Sequence, residues 1–157
     1  FFDRLAALSR THSLLCEDMW AQASVGRVAE AMLEPFRIEG RTSFGGPAVA
    51  IDANRAVALC LLLHELATNA AKHGALANEV GFVDLRWSVV PGARGDHVTL
   101  CWQESGSGAA EVPGPLGFGS RLLKASAGQL GGDIRTVFKD GGMRCELTFP
   151  VNEEAVA

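Results

Sequence analysis

The four cysteines, Cys16, Cys60, Cys101 and Cys145, never approach CxxC spacing. That scatter gives neither a thioredoxin-type pair nor a zinc-ligand set, so the thiols read as small buried hydrophobes. No apolar run reaches spanning length, and the opening FFDRLAALSR is interrupted by charge within three positions, so no membrane segment is expected here. A net charge of -4 lacks the basic field that non-specific duplex binding requires, and nucleic acid is not an expected partner. Internal repeats and low-complexity tracts are also missing. What is there is 157 residues, 48% hydrophobic and 20% charged, an ordinary globular composition able to bury a core without staples. The expected location is cytoplasmic. The chain opens inside a helical pattern without an initiator Met and reads as part of a longer protein.

Phe1, Leu5, Leu8, His12, Leu15 and Met19 recur at steps of four and three, the seam of a helix packed on another helix. The partner helix lies upstream in the parent protein or on a second copy, and in the second case the stripe drives homodimerisation. His12, on that seam, is either a phosphoacceptor or a core histidine. A second helix is expected over 20–36, ended by Pro35. Strands over 37–44 and 48–51 are expected to pair as a hairpin around Gly45, Gly46 and Pro47. A long helix over 53–73 follows, N-capped by Asp52 and stopped at Gly74. Strands over 80–90 and 97–104 flank a Gly-rich turn, and alternation places Val98, Leu100 and Trp102 on one face. A Gly, Ala and Pro loop to residue 119 leads into a short helix over 120–130. A hairpin of 134–138 and 143–149 closes the domain, and 152–157 reads as a frayed tail. Short connections between consecutive strands predict an α+β fold: a two-layer sandwich of a mixed, largely antiparallel sheet with helices on one face, from which the opening helix projects.

The chain is organised around LCLLLHELATNAAKHGAL, residues 59–76. Leu59, Leu62, Leu63, Leu66 and Ala70 form its core stripe. Beside them Glu65, Asn69 and Lys72 fall within about 60° of one another at roughly 100° per residue. A carboxylate, an amide oxygen and an ammonium in line have the capacities that a nucleotide with a divalent cation requires. The alternative is a solvated helix edge with an incidental Glu-to-Lys pair. Glu104-Ser-Gly106-Ser-Gly108 places an acid at a strand end before alternating glycines, so that backbone can approach a planar ring while the carboxylate accepts from an exocyclic amine. Gly117-Phe-Gly119-Ser-Arg121 leads into a helix N-terminus, whose amides favour phosphate and where Arg121 adds a guanidinium. Each glycine pair alone is also what a plain turn looks like.

In that order, the three motifs resemble the N box and two glycine boxes of the ATP-binding domain shared by histidine kinases, gyrase, Hsp90 and MutL. His64 in the N box and Trp102-Gln-Glu104 before the first glycine box are most similar to the HWE group of bacterial sensor histidine kinases. RLAALSRTHSLL at 4–15 resembles the second helix of the family's dimerisation hairpin. The resemblance implies a Bergerat-type ATP-binding fold over 20–151, with 1–19 part of the hairpin. It implies ATP and Mg²⁺ as cofactors, Glu65 as the acidic residue that orients or activates, Asn69 as the Mg²⁺ ligand and Lys72 as a phosphate contact. Glu104 would accept from adenine N6, Gly106 and Gly108 line the base pocket, Gly117 and Gly119 form the phosphate-facing lid, and Arg121 contact phosphate. His64 falls off the Glu65 stripe and reads equally as a structural histidine. Two departures stand out: Ser107-Gly108-Ala109 replaces the usual Gly-Gly-Pro, and no His followed by a basic residue and an Asn is present. The phosphoacceptor is therefore expected outside this chain, and His12, followed by Ser13, is not assigned to it. The implied activity is transfer of the ATP γ-phosphoryl group to that histidine, and the implied partners are a response regulator and the parent protein's own sensor and phosphoacceptor helix. A degenerate nucleotide-binding switch and a gyrase- or Hsp90-type ATPase are the competing readings.

Overall fold

The computed structural model describes residues 23–106, 118–139 and 142–151. The expected opening helix with His12, the thiol of Cys16, Trp20, Gly108, Gly117 and the tail lie outside them.

A short strand, β1 (Ala23–Ser24), precedes helix α1 (Val25–Leu33). The helix expected over 20–36 is thus shorter at its start. Ser24 is extended, and its hydroxyl accepts from the Arg27 N–H at 3.1 Å, so a side-chain cap sets the first turn there. Val25, Val28, Ala29, Met32 and Leu33 are buried, and Pro35 sits in a single 3₁₀ turn, Glu34–Phe36, that ends the segment.

The expected hairpin over 37–51 does not form. Strand β2 (Thr42–Gly45) and strand β3 (Ala50–Ile51) never pair with each other; β3 pairs antiparallel with β1, and β2 joins the main sheet. The Gly-Gly-Pro segment between them lies against Trp87 instead of turning back. The Trp87 indole N–H donates to the Pro47 carbonyl at 2.8 Å, and a Cβ on Gly46 would run into the indole ring. A tertiary contact therefore overrides the local turn chemistry.

Helix α2 (Ala53–His73) has the expected bounds. Asp52 accepts from the Arg55 N–H at 2.8 Å and pairs with its guanidinium at 2.6 Å, while Lys72 and His73 complement the dipole in the last turn. After a 3₁₀ turn (Ala75–Ala77), the side chain of Asn78 accepts from the N–H groups of Val80 and Gly81 at 2.9 and 2.7 Å. This Asx turn delays strand β4 to Phe82–Val90, two residues later than expected. Strand β5 (His97–Ser105), helix α3 (Phe118–Gln129), strand β6 (Asp133–Lys139) and strand β7 (Gly142–Pro150) complete the chain. Gly131, at φ +78°, turns the chain out of α3 in a left-handed conformation that suits glycine.

The main sheet has the order β2-β4-β5-β7-β6; the β2–β4 pair is parallel and the other pairs are antiparallel. The parallel pair is possible because residues 46–81, with α2 among them, form a crossover long enough to return the chain. Burial alternates strictly along β5: Val98, Leu100, Trp102 and Glu104 are buried, whereas Thr99, Cys101, Gln103 and Ser105 are half-buried. Val83, Leu85 and Trp87 of β4 and Cys145, Leu147 and Phe149 of β7 continue the inner face. Against it lies the apolar stripe of α2, with Leu59, Leu62, Leu63, Leu66 and Ala70 all buried. The helices cover one face and leave the other polar, the expected α+β two-layer sandwich.

Candidate functional site

Along α2 the three aligned polar residues step outward from the core. Glu65 retains 5% of its exposure, Asn69 is half-buried and Lys72 is exposed. A helix leaving the core at its C-terminal end presents, in sequence, a carboxylate in low dielectric, an amide at the margin and an ammonium in water. His64 is buried beside them, its Nε2 3.5 Å from the Thr68 hydroxyl and its ring edge-on to Phe36 at 6.1 Å between centroids. These contacts pack the ring at the margin of the core.

Glu104 sits where β5 meets the end of α2. It is only 4% exposed, and both carboxylate oxygens accept hydrogen bonds from the protein: Oε2 from the Trp102 indole N–H at 2.9 Å and Oε1 from the Ala75 backbone N–H at 3.0 Å. Two residues apart on one strand, Trp102 and Glu104 share the inner face, which lets the indole reach back to the carboxylate. Gly74, the residue after α2, gives the carboxylate its space, since a Cβ there would collide with Glu104 Oε1. The Ala75 peptide is held from its other side too: Arg41 donates to the carbonyls of Ala75 at 3.2 Å and Gly81 at 2.6 Å, and also to that of Asn78. The sequence motifs assign no site role to Arg41, Gly74, Ala75 or Trp102. The i, i+2 parity of Trp102 and Glu104 was a usable signal for one of them; the others depend on how α2 abuts the sheet.

Gly106 follows β5 at φ +74°, and a Cβ there would stand 3.0 Å from the Val80 carbonyl, so the backbone turns tightly against the 75–81 segment. Helix α3 begins at Phe118, which places Gly119 in the first turn of the helix and not in a loop before it; Arg121 is exposed on the same helix. Gly108 and Gly117 fall outside the described residues. The structure therefore brings the end of α2, the 75–81 segment and the end of β5 together around Glu104. It leaves the second glycine box represented by the start of α3.

A concavity of about 540 Å³ opens on the opposite, polar face of the sheet between Gln103, Arg135, Val137, Arg144 and Glu146, and Glu104 and Ser105 at the end of β5 reach its rim. Neither Asn69 nor Lys72 lines it. Among the described residues no three His, Cys, Asp or Glu side chains cluster as a metal site. A cation at the α2 edge would therefore rest on the Asn69 amide oxygen, a carboxylate and the oxygens of its ligand, the ligation that suits Mg²⁺ on a nucleotide. The donor set, a buried carboxylate acceptor at Glu104 with an amide and an ammonium along α2, fits a purine nucleotide and its cation.

Residues 1–48 match the model of the HWE histidine kinase family. Over 157 residues the chain is 32% identical to a blue-light-activated histidine kinase of Brucella ovis, covering 98% of this chain and 32% of that protein. The corresponding protein of Brucella anthropi is 37% identical over 153 residues, covering 95% of this chain and 29% of that one. The chain thus spans about a third of the length of these curated relatives. Among solved structures, the histidine kinase domain of a blue-light activated histidine kinase from Erythrobacter litoralis has a TM-score of 0.70 at 18% identity, over 95% of this chain and 73% of that one. The catalytic domain of histidine kinase ThkA has a TM-score of 0.61 at 16% identity, over 84% of this chain and 97% of that one. The chain is thus similar to HWE histidine kinases over residues 1–48 and to blue-light-activated histidine kinases along almost its whole length, and it shares the fold of histidine kinase catalytic domains.

Proposed function

We propose that the chain binds Mg·ATP at the C-terminal half of α2 and presents its γ-phosphoryl group to a histidine that this chain does not contain. The observation that carries this reading is that α2, whose edge carries Glu65, Asn69 and Lys72, ends against the buried Glu104 of β5 through the Ala75 N–H. Asn69 offers a neutral oxygen to the cation, and Lys72, at the exposed end of the row, offers charge to phosphate. Glu65, buried at the head of the row, orients the reacting partner or its proton. Glu104 accepts from the exocyclic amine of adenine, Gly106 and Gly108 leave room for the ring, and Gly117, Gly119 and Arg121 approach the phosphates at the start of α3. Phosphoryl transfer demands little covalent chemistry from the protein, so these groups act by positioning and by neutralising charge. Bound Mg·ATP would supply the phosphoryl group and a cation that offsets its charge.

In this reading residues 20–151 are the ATP-binding unit and 1–19 belong to a dimerisation hairpin that also supports a homodimer. The partners are a phosphoacceptor helix and sensor of the parent protein and a response regulator, in the cytoplasm. No helix among the described residues is long and apolar enough to cross a membrane.

The test is a calorimetric titration of the chain with ATP, with Mg²⁺ and with Mg²⁺ chelated, repeated on Asn69→Ala. Expected are saturable binding that weakens at least tenfold on chelation and a similar loss in the variant at unchanged melting temperature. A folded chain that fails to bind Mg·ATP, or a variant that binds like the parent, overturns the proposal.

A further inference from the structure

We propose that Trp102 and the Gly74–Ala75 turn are positioning residues for nucleotide selection, a two-sided clamp that holds Glu104 toward a 6-aminopurine. The inference rests on the reading of Glu104 as the group that meets the base. A carboxylate on a flexible side chain is a poor discriminator, because it rotates to suit water or a competing ligand. Glu104 has lost that freedom. Its Oε2 takes the Trp102 indole N–H at 2.9 Å, and its Oε1 takes the Ala75 N–H at 3.0 Å. The two donors come from different elements, β5 and the turn after α2, so the carboxylate plane is fixed by their separation.

Each oxygen retains further acceptor capacity, and a carboxylate bonded by two donors and no acceptors presents only acceptor character to a ligand. An amino group at purine C6 is a donor and fits; a 6-oxo group is a second acceptor and is repelled; a bare C6–H gains nothing. The clamp is built into the fold at some cost. The position after α2 cannot carry a Cβ without striking Oε1, and the Ala75 peptide is secured from behind by the Arg41 guanidinium on its carbonyl at 3.2 Å. The indole is itself fully buried, so its N–H has no water to serve in place of the carboxylate.

The test compares ATP with purine riboside 5′-triphosphate, which keeps the triphosphate and lacks the 6-amino group. Dissociation constants with Mg²⁺ are measured for the parent chain, for Trp102→Phe, which removes the donor on Oε2, and for Gly74→Ala, which intrudes on Oε1 from outside the core. The parent is expected to prefer ATP. Both variants should lose at least fivefold of that preference, through weaker ATP binding at nearly constant affinity for the analogue. A general structural role would weaken both nucleotides alike and leave the ratio unchanged, which overturns the clamp, as does parent-like preference in either folded variant. Gly74 lies at the margin of the fold, so its variant reads the ratio even where the buried Trp102→Phe fails to fold. A parent that binds both nucleotides equally refutes the base-reading role of Glu104 itself, and the clamp with it. A parent that binds neither nucleotide refutes the ATP-site proposal from which both descend.

Discussion

On neighbouring strands, Cys101 and Cys145 face opposite sides of the sheet, and their surroundings separate their chemistry. Burial raises the pKa of both, but at Cys101 the Arg144 charge works against the shift. At Cys145 desolvation dominates and pushes the thiol up from 9.0 to about 11, with a weak hydrogen bond from Thr136 opposing it. A folded-state pKa above the unfolded one means that the neutral thiol contributes its full stability below about pH 9. That contribution is lost as the pH rises toward 11. The parent should therefore lose more unfolding free energy than Cys145→Ala between about pH 8.5 and pH 11, by up to roughly 2–3 kcal/mol. Urea unfolding at both pH values checks this, and parallel losses in the two proteins would count against it. The reading of the thiols as buried hydrophobes holds for Cys60 and Cys145, whereas Cys101 falls on the half-buried polar face that strand alternation assigns it. The place of Glu104 at a strand end and its parity with Trp102 were visible, but Ala75, 29 residues away in sequence, closes the other oxygen only once the helix end meets the sheet.

At the scale of elements, local signals and tertiary ones divide cleanly. The bounds of α2 were legible to the residue because both ends carry their own stops, an Asp52 cap and a terminal Gly74. Replacing Asp52 with Ala should cost about 1 kcal/mol of stability through the lost cap. It should leave nucleotide affinity intact, since Glu65 lies more than three turns further along the helix. Chemical denaturation alongside an ATP titration measures both, and a loss of affinity without loss of stability would contradict the assignment. The segment 37–51 was illegible for the complementary reason. Its glycines and proline advertise a turn, yet the partners of β2 and β3 are chosen by Trp87 and by β1, neither of which any local pattern in that segment encodes. Likewise the first turn of α1 is set by Ser24, a cap that competes well with a helical pattern running straight through it.

Across the whole molecule, the sheet separates two surfaces with different uses. Strict alternation in β4, β5 and β7 sends apolar side chains and Glu104 toward the helices, and Arg86, Gln103, Arg144 and Glu146 to the opposite face. The layer architecture followed from the sequence because period-two alternation and short turns are local quantities, whereas the parallel edge strand β2 depends on a crossover over α2. Two places can therefore be compared: the end of α2 where it meets the end of β5, and the open basin of about 540 Å³ on the polar face. In the proposed reading the nucleotide occupies the first. NMR spectra of the ¹⁵N-labelled chain titrated with Mg·ATP test it directly. Amide shifts should concentrate at residues 68–76 and 104–106 while 135–139 and 144–146 stay still. Shifts concentrated at 135–139 and 144–146, with Asn69 and Ala75 unmoved, would contradict it.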